Sequence, residues 1–336
     1  MRNTALQLTL LAVSLAVAIA LCELVLRVGG FQFDLAPERV EFGWPDPVTM
    51  EDQYRSDPDL FWVPKDYSES LESIRRAPAD LLFLGDSCTE FSYYPNSFMG
   101  ELVARHPGQR IVVRRLGVGG WSSYQGLEQL RRDVIPLAPR FVTLYFGWND
   151  HWIGFGLRDS EINALKTSFL PGLEHSRLWQ LVFKLRIALR RRATGDTPVR
   201  VTSDEFRSHL QQMVRLAREA GIVPVLITAP TSHQPGREPE LLRERWLPDL
   251  DQLVPTHQRY VAIVREVARQ EDAPLCDLEA RFAKLPFARR RARHFRDDGI
   301  HTTPIGDRKL AAFLMDCFEK QPALRALWEE ETRGRW

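Results

Sequence analysis

The chain has 336 residues, 44% of them hydrophobic and 26% charged. That composition belongs to a folded globular protein and excludes a disordered one. The net charge of +1 implies no bulk attraction to nucleic acid or to an acidic membrane surface.

From Asn3 to Cys22 there is no charged residue, and the run is rich in Leu, Ala and Val. A helix of about 20 such residues spans a bilayer. The competing readings are a cleaved signal peptide and a buried soluble helix. A signal peptide has a shorter apolar core and ends in small residues, whereas this run continues as Leu24-Val25-Leu26 with no A-x-A site. A lipoprotein reading fails on Leu21, where a small residue would precede the cysteine. The expectation is an uncleaved anchor over residues 1–28, with membrane contact through residues 5–26 and the bulk of the chain outside the cytoplasm, periplasmic or at the cell surface. Positive charge ahead of the span is sparse, with Arg2 alone preceding it.

Residues 29–78 read as a linker that becomes short edge strands packed on the main domain. Pro37, Pro45, Pro47, Pro58 and Pro64 exclude long helices here. Interspersed aromatics such as Phe31, Phe61 and Trp62 read as packing rather than as a binding surface.

From Asp80 onward, strand and helix patterns alternate, which favours a parallel sheet. Leu81–Leu84 is a short apolar run ending at Gly85-Asp86-Ser87, and reads as a buried strand with a serine at its carboxyl end. A helix is predicted near Ser97–Arg105 and a second strand over Ile111–Leu116. The turn Gly117-Val118-Gly119-Gly120 follows, then a helix capped by Ser122 or Ser123 and running through Val134. The third strand is Phe141–Phe146. Residues 151–200 break the rhythm and read as an insert. Within it Leu178, Leu181, Val182, Leu185 and Leu189 share one helical face beside basic residues. Such a helix either packs on the domain or serves as a membrane-surface or lid helix. Thr202 and Glu205 form a capping box for a helix that ends at Gly221. Strand four is Ile222–Thr228, a proline-rich loop covers 230–256, a helix spans His257–Gln270, and strand five is Leu275–Leu278. Arg289–Arg293 is a basic run with no aromatic or fold cue of a nucleic-acid site, and reads as a solvated face. Pro304 opens a last helix through Glu319. The main domain is expected over residues 79–322, with a tail at 323–336. The four cysteines, Cys22, Cys88, Cys276 and Cys317, contain no C-x-x-C pair, so they predict neither a zinc site nor a disulfide framework.

A serine hydroxyl needs a base to become a nucleophile. His301, in Asp298-Gly299-Ile300-His301, is the candidate. Asp298 can accept its Nδ1 proton and leave Nε2 to face Ser87. Three donors are available for an oxyanion: the backbone N–H groups of Ser87 and Gly120 and the side-chain amide of Asn149. All lie after neighbouring predicted strands, where open α/β sheets place their sites.

These blocks resemble the SGNH (GDSL-type) hydrolases. The match is Gly85-Asp86-Ser87, then Gly117 and Gly120, then Gly147-Trp148-Asn149-Asp150, then Asp298 to His301, in family order over residues 80–320. The resemblance implies a three-layer α/β/α flavodoxin-like fold with a parallel sheet of about five strands, catalytic Ser87, Asp298 and His301, an oxyanion hole of Ser87, Gly120 and Asn149, and no metal or cofactor. An anchor ahead of the domain is similar to many bacterial relatives. Arg115 departs from the pattern, standing where the family often has an Asn that supports the glycine turn. The expected activity is cleavage of a small ester or acylated glycan, with no nucleic-acid partner. The alternatives are O-acyl transfer to cell-surface polysaccharide with the same residues, or a catalytically inactive anchored assembly module. The acyl group, the alcohol and the oligomeric state are not legible.

Overall fold

The computed structural model describes residues 2–31, 52–154, 157–162, 176–194, 199–243 and 249–329. Its centre is a parallel sheet of five strands: β3 (Leu81–Gly85), β4 (Val113–Arg115), β5 (Phe141–Tyr145), β6 (Val223–Ile227) and β7 (Leu275–Cys276). Their order across the sheet is β4-β3-β5-β6-β7. β3 and β5 pair over their full lengths, Leu81 opposite Phe141 and Gly85 opposite Tyr145, and both are buried throughout. A strand covered on both faces favours apolar residues at nearly every position, which explains the run Leu81–Leu84 and, apart from Thr143, that of β5.

Alternate residues of β3 point to opposite layers. Leu82 and Leu84 pack with Val142 and Leu144 toward helices α5 (Ser123–Gln129), α7 (Ser203–Glu219) and α8 (Leu253–Gln270). Leu81 and Phe83 pack with Phe141 and Tyr145 toward α4 (Tyr94–Arg105), α10 (Pro304–Lys320) and α11 (Pro322–Glu329). Phe98 of α4 meets Phe83 and Phe318 edge-on, with ring centroids 5.6 and 5.2 Å away. The fold is the expected three-layer α/β/α arrangement, with all strand carboxyl ends on one side.

The cysteines correct the sequence reading: Cys276 of β7 and Cys317 of α10 form a disulfide. Spacing alone could not show it, because the partners lie 41 residues apart on elements that meet only in the folded sheet. Cys88 is buried and Cys22 exposed.

The N-terminal region also differs in detail from its prediction. β1 (Tyr54–Asp57) and β2 (Phe61–Pro64) pair with each other as an antiparallel ribbon rather than joining the main sheet. Helix α2 (Tyr67–Arg76) follows, in a gap of the proline spacing that the sequence reading passed over. Phe61 and Trp62 are buried in the core, as packing predicts; Phe33, Phe42 and Trp44 lie outside the described residues.

Helix α1 covers Arg2–Val28, and its segment Gln7–Val28 is long and apolar enough to cross a membrane, with none of it buried by protein. The insert is pinched at its base by a bridge between Ile153 and Val199. The predicted amphipathic helix is α6 (Arg177–Thr194). It starts beside α1: Glu23 accepts hydrogen bonds from Ser176 Oγ and from the amides of Arg177 and Leu178 at 2.9–3.0 Å. Of the predicted apolar face, Leu178 and Leu181 are half-buried, while Val182, Leu185 and Leu189 are exposed.

Candidate active site

The loop after β3 brings Ser87 to the carboxyl end of the sheet's central strands. Gly85 is there because of a close approach: a Cβ would lie 2.3 Å from Thr89 Oγ1 and 2.8 Å from the Tyr145 carbonyl oxygen. Asp86 then caps the single helical turn α3 (Ser87–Glu90), its Oδ1 accepting the Cys88 amide at 2.8 Å. Burial pushes the Asp86 carboxyl up to about 6, against the lowering effect of the Cys88 N–H and of His301.

The loop between β7 and α10 supplies the other two groups. His301 Nε2 lies 2.9 Å from Ser87 Oγ, and His301 Nδ1 lies 2.7 Å from Asp298 Oδ2. The second oxygen of Asp298 accepts the amides of Ile300 and His301 at 2.8 and 2.9 Å. Burial raises the Asp298 pKa. The hydrogen bond and charge of His301, with the two amides, outweigh it and hold the carboxyl below its ordinary value. With Asp298 ionised, Nδ1 carries the proton and Nε2 is left to accept the Ser87 hydrogen. Serine, imidazole and carboxylate thus stand in one line across 214 residues of sequence.

The glycine turn lies beside them. Gly120 has φ of +77°, a left-handed conformation that side chains resist. Among the described residues, the amides of Ser87 and Gly120 donate to no protein acceptor, so both are open to an incoming oxygen. Asn149 is buried, and its Nδ2 donates to the Trp121 carbonyl at 3.0 Å and to Asp86 Oδ2 at 3.3 Å. The structure therefore gathers all five sequence-predicted site residues. Two of the three donors are open, and the third is hydrogen-bonded within the site.

Arg115 does not support the glycine turn; its guanidinium donates to the Ser92 carbonyl at 2.8 Å. Glu90 takes over that task. Its carboxylate accepts the Gly119 amide and the Tyr54 hydroxyl. Trp62 Nε1 donates to the Gly119 carbonyl at 3.0 Å, and Trp121 Nε1 donates back to the Trp62 carbonyl at 3.0 Å. The N-terminal ribbon is thereby the outer wall of the oxyanion turn.

Sequence reasoning missed further supports. Arg200 and Asp159 form a fully buried ion pair at 2.9 Å. Arg200 Nη1 also donates to the Gly120 carbonyl at 2.6 Å, and Asp159 accepts the Ser122 hydroxyl at 2.7 Å. Both ends of the insert thus grip the turn from Gly120 to Ser122. His233 Nε2 donates to the Asp298 carbonyl at 2.7 Å, while Thr231 Oγ1 and the Ser232 amide hold the Gly299 carbonyl. No motif marks these residues; each is a single polar group in a stretch without periodicity. Trp148, His151 and Trp152, which could have lined a cleft, are instead buried packing. Trp148 stacks on His257 with centroids 3.7 Å apart. His257 donates from Nε2 to the Ala229 carbonyl, so its Nδ1 accepts from His151 Nε2 at 3.2 Å.

The chain is similar to several solved structures. A lipase/acylhydrolase from Enterococcus faecalis is 19% identical with a TM-score of 0.47, covering 71% of this chain and 95% of that one. A GDSL-like lipase from Bacteroides thetaiotaomicron is 18% identical with a TM-score of 0.47, covering 76% and 98%. An acetyl xylan esterase from Geobacillus stearothermophilus is 19% identical with a TM-score of 0.44, covering 76% and 98%. No curated protein sequence matches. At such identities and scores these structures carry no functional weight, and the family match does. Residues 83–309 match the GDSL-like lipase/acylhydrolase family, a span that contains the Ser87, glycine, Asn149 and His301 blocks; the chain belongs to that family and is an ester-cleaving hydrolase.

Proposed function

We propose that this chain is a serine esterase that works through an acyl-enzyme on Ser87. The observation that carries the reading is the placement of His301 between Ser87 Oγ and Asp298. His301 Nε2 takes the Ser87 proton as Oγ attacks the ester carbonyl carbon. Asp298 fixes the tautomer and stabilises the imidazolium. The oxygen that becomes negative is met by the amides of Ser87 and Gly120. Asn149 joins them by giving up the longer of its two bonds, the 3.3 Å contact with Asp86. The imidazolium then protonates the departing alcohol oxygen, and the carbon–oxygen bond of the ester breaks. Water, deprotonated by the same imidazole, attacks the acyl-Ser87 carbonyl; the acyl–Oγ bond breaks as the imidazolium returns the proton to Ser87 Oγ, and the acid is released.

We place this reaction on a tether outside the cytoplasm. The apolar helix Gln7–Val28 supports an anchor, and the Cys276–Cys317 bridge supports an oxidising compartment.

Hydrolysis of a short-chain p-nitrophenyl ester by the detergent-solubilised chain tests the proposal. Wild type should release nitrophenolate in proportion to enzyme, while Ser87→Ala and His301→Ala should fall to background with folding intact. Full activity in Ser87→Ala would overturn the assignment. Adding an unacylated polysaccharide to the same assay separates the acceptors, because transfer would move label onto the glycan at the expense of free acid.

A further inference from the structure

The basic run at 289–293 is largely exposed, as a solvated face is, but it also borders a pocket. Two of its members, Arg289 and Arg293, meet Arg308 and Lys309 of α10 around a pocket of about 340 Å³ whose apolar lining includes Leu285 and Ile305. Other arginines of the molecule are paired with carboxylates. Arg281 pairs with Asp316, Arg105 with Asp316 and Glu319, and Arg265 with Asp277 and Glu279. Among the described residues, none of the four pocket cations has a carboxylate within ion-pair distance, and Lys309 instead lies 4.7 Å from the centre of the Phe313 ring. The first turn of α10 adds the positive end of its helix dipole to the same place. His294, buried beside them, senses this field. Its imidazole is held below its ordinary pKa by burial first, and then by the charges of Arg289, Lys309 and Arg293.

Four like charges around one concavity make a positive field in which an anion is favoured. Guanidinium forks match the oxygens of a phosphate in paired hydrogen bonds, and a lysine adds a point charge. We propose that this pocket binds a phosphate group, either on a soluble ligand or on a phospholipid headgroup. The site is separate from the Ser87 cleft and independent of the esterase reading. It is joined to the catalytic loop mechanically. Arg293 precedes and Arg308 follows the segment 295–302, which is closed by the Phe295–Thr302 bridge and by the Thr303 amide donating to the His294 carbonyl. A phosphate held here would tie together the two legs of the loop that carries Asp298 and His301.

The test uses the full chain in nanodiscs of phosphatidylcholine, titrated with inorganic pyrophosphate by calorimetry. Saturable binding is expected, weakening as salt rises. Arg293→Gln/Arg308→Gln should lower affinity by about 10-fold or more, with the circular dichroism spectrum and the hydrolysis of a soluble ester unchanged. Arg291→Gln removes a neighbouring charge that does not line the pocket, and should bind as wild type does. Nanodiscs containing phosphatidylglycerol separate the sources. Loss of pyrophosphate affinity in them assigns the site to a lipid headgroup, and equal affinity in both assigns it to a soluble phosphate ligand. Absence of saturable binding by wild type, equal binding by the double variant, or an equal loss in Arg291→Gln would overturn the proposal.

Discussion

Replacing Arg200 tests how the glycine turn is held. Its guanidinium and the Asp159 carboxylate are both fully buried. Removing one member of such a pair leaves an uncompensated charge, which costs about 3–5 kcal/mol. Against a domain stability of about 5–15 kcal/mol, Arg200→Met alone should move the urea midpoint sharply down. Arg200→Met/Asp159→Leu removes both charges and should regain most of that loss. The remainder is the bond from Ser122 Oγ to Asp159 and the bond from Arg200 to the Gly120 carbonyl, worth about 1–2 kcal/mol each. Activity should not return with stability, because the Gly120 carbonyl still lacks the donor that fixes it at 2.6 Å. Losing a whole oxyanion donor costs ~10²–10³ in kcat, so a displaced donor should cost ~10- to 100-fold, with KM for a small ester little changed. Urea unfolding followed by tryptophan fluorescence gives the stabilities, and steady-state hydrolysis gives kcat. A stable double variant with wild-type kcat would refute the idea that Arg200 sets the turn.

Asp298→Asn should keep the fold but lower kcat on the order of 10³–10⁴-fold, because the imidazole loses the carboxylate that selects its tautomer; a loss under tenfold at neutral pH would count against that role. Burial raises the Asp150 carboxyl to about 7, above its unfolded value, so its contribution to stability is full below the unfolded pKa and is lost as pH rises through the folded one. Asp150→Asn should therefore gain on wild type in thermal melts between about pH 4 and 8, and a pH-independent difference would contradict the raised pKa. Reduction of Cys276–Cys317 releases a constraint across 41 residues, worth about 3–4 kcal/mol by chain entropy; melting with and without reductant should differ, and the Cys317→Ser variant should be insensitive to reductant.

The central strands were legible because a strand buried on both faces is apolar almost throughout, as Leu81–Leu84 and, apart from Thr143, Phe141–Phe146 are. The five site residues were legible because each closes a strand or opens a helix, at turns where only a few residue types fit. What supports them was not. Arg200, Asp159, Glu90 and His233 act as single hydrogen-bonding groups whose partners lie 29 to 80 residues away, and such distances leave no local pattern. The Arg115 departure illustrates the point. The turn that it left without its usual partner is held by Glu90, Tyr54 and Trp62, residues that carry no signature in one dimension. The disulfide shares that origin, since it joins α10 to a strand 41 residues away in sequence.

The most direct measurement is covalent labelling of the folded full chain with a fluorophosphonate, followed by peptide mass analysis. One label per chain on the peptide containing Ser87, abolished in Ser87→Ala and strongly slowed in His301→Ala, is the expected result. Folded, esterase-active protein that takes no label, or takes it on another serine, would contradict the assignment of Ser87 as the nucleophile.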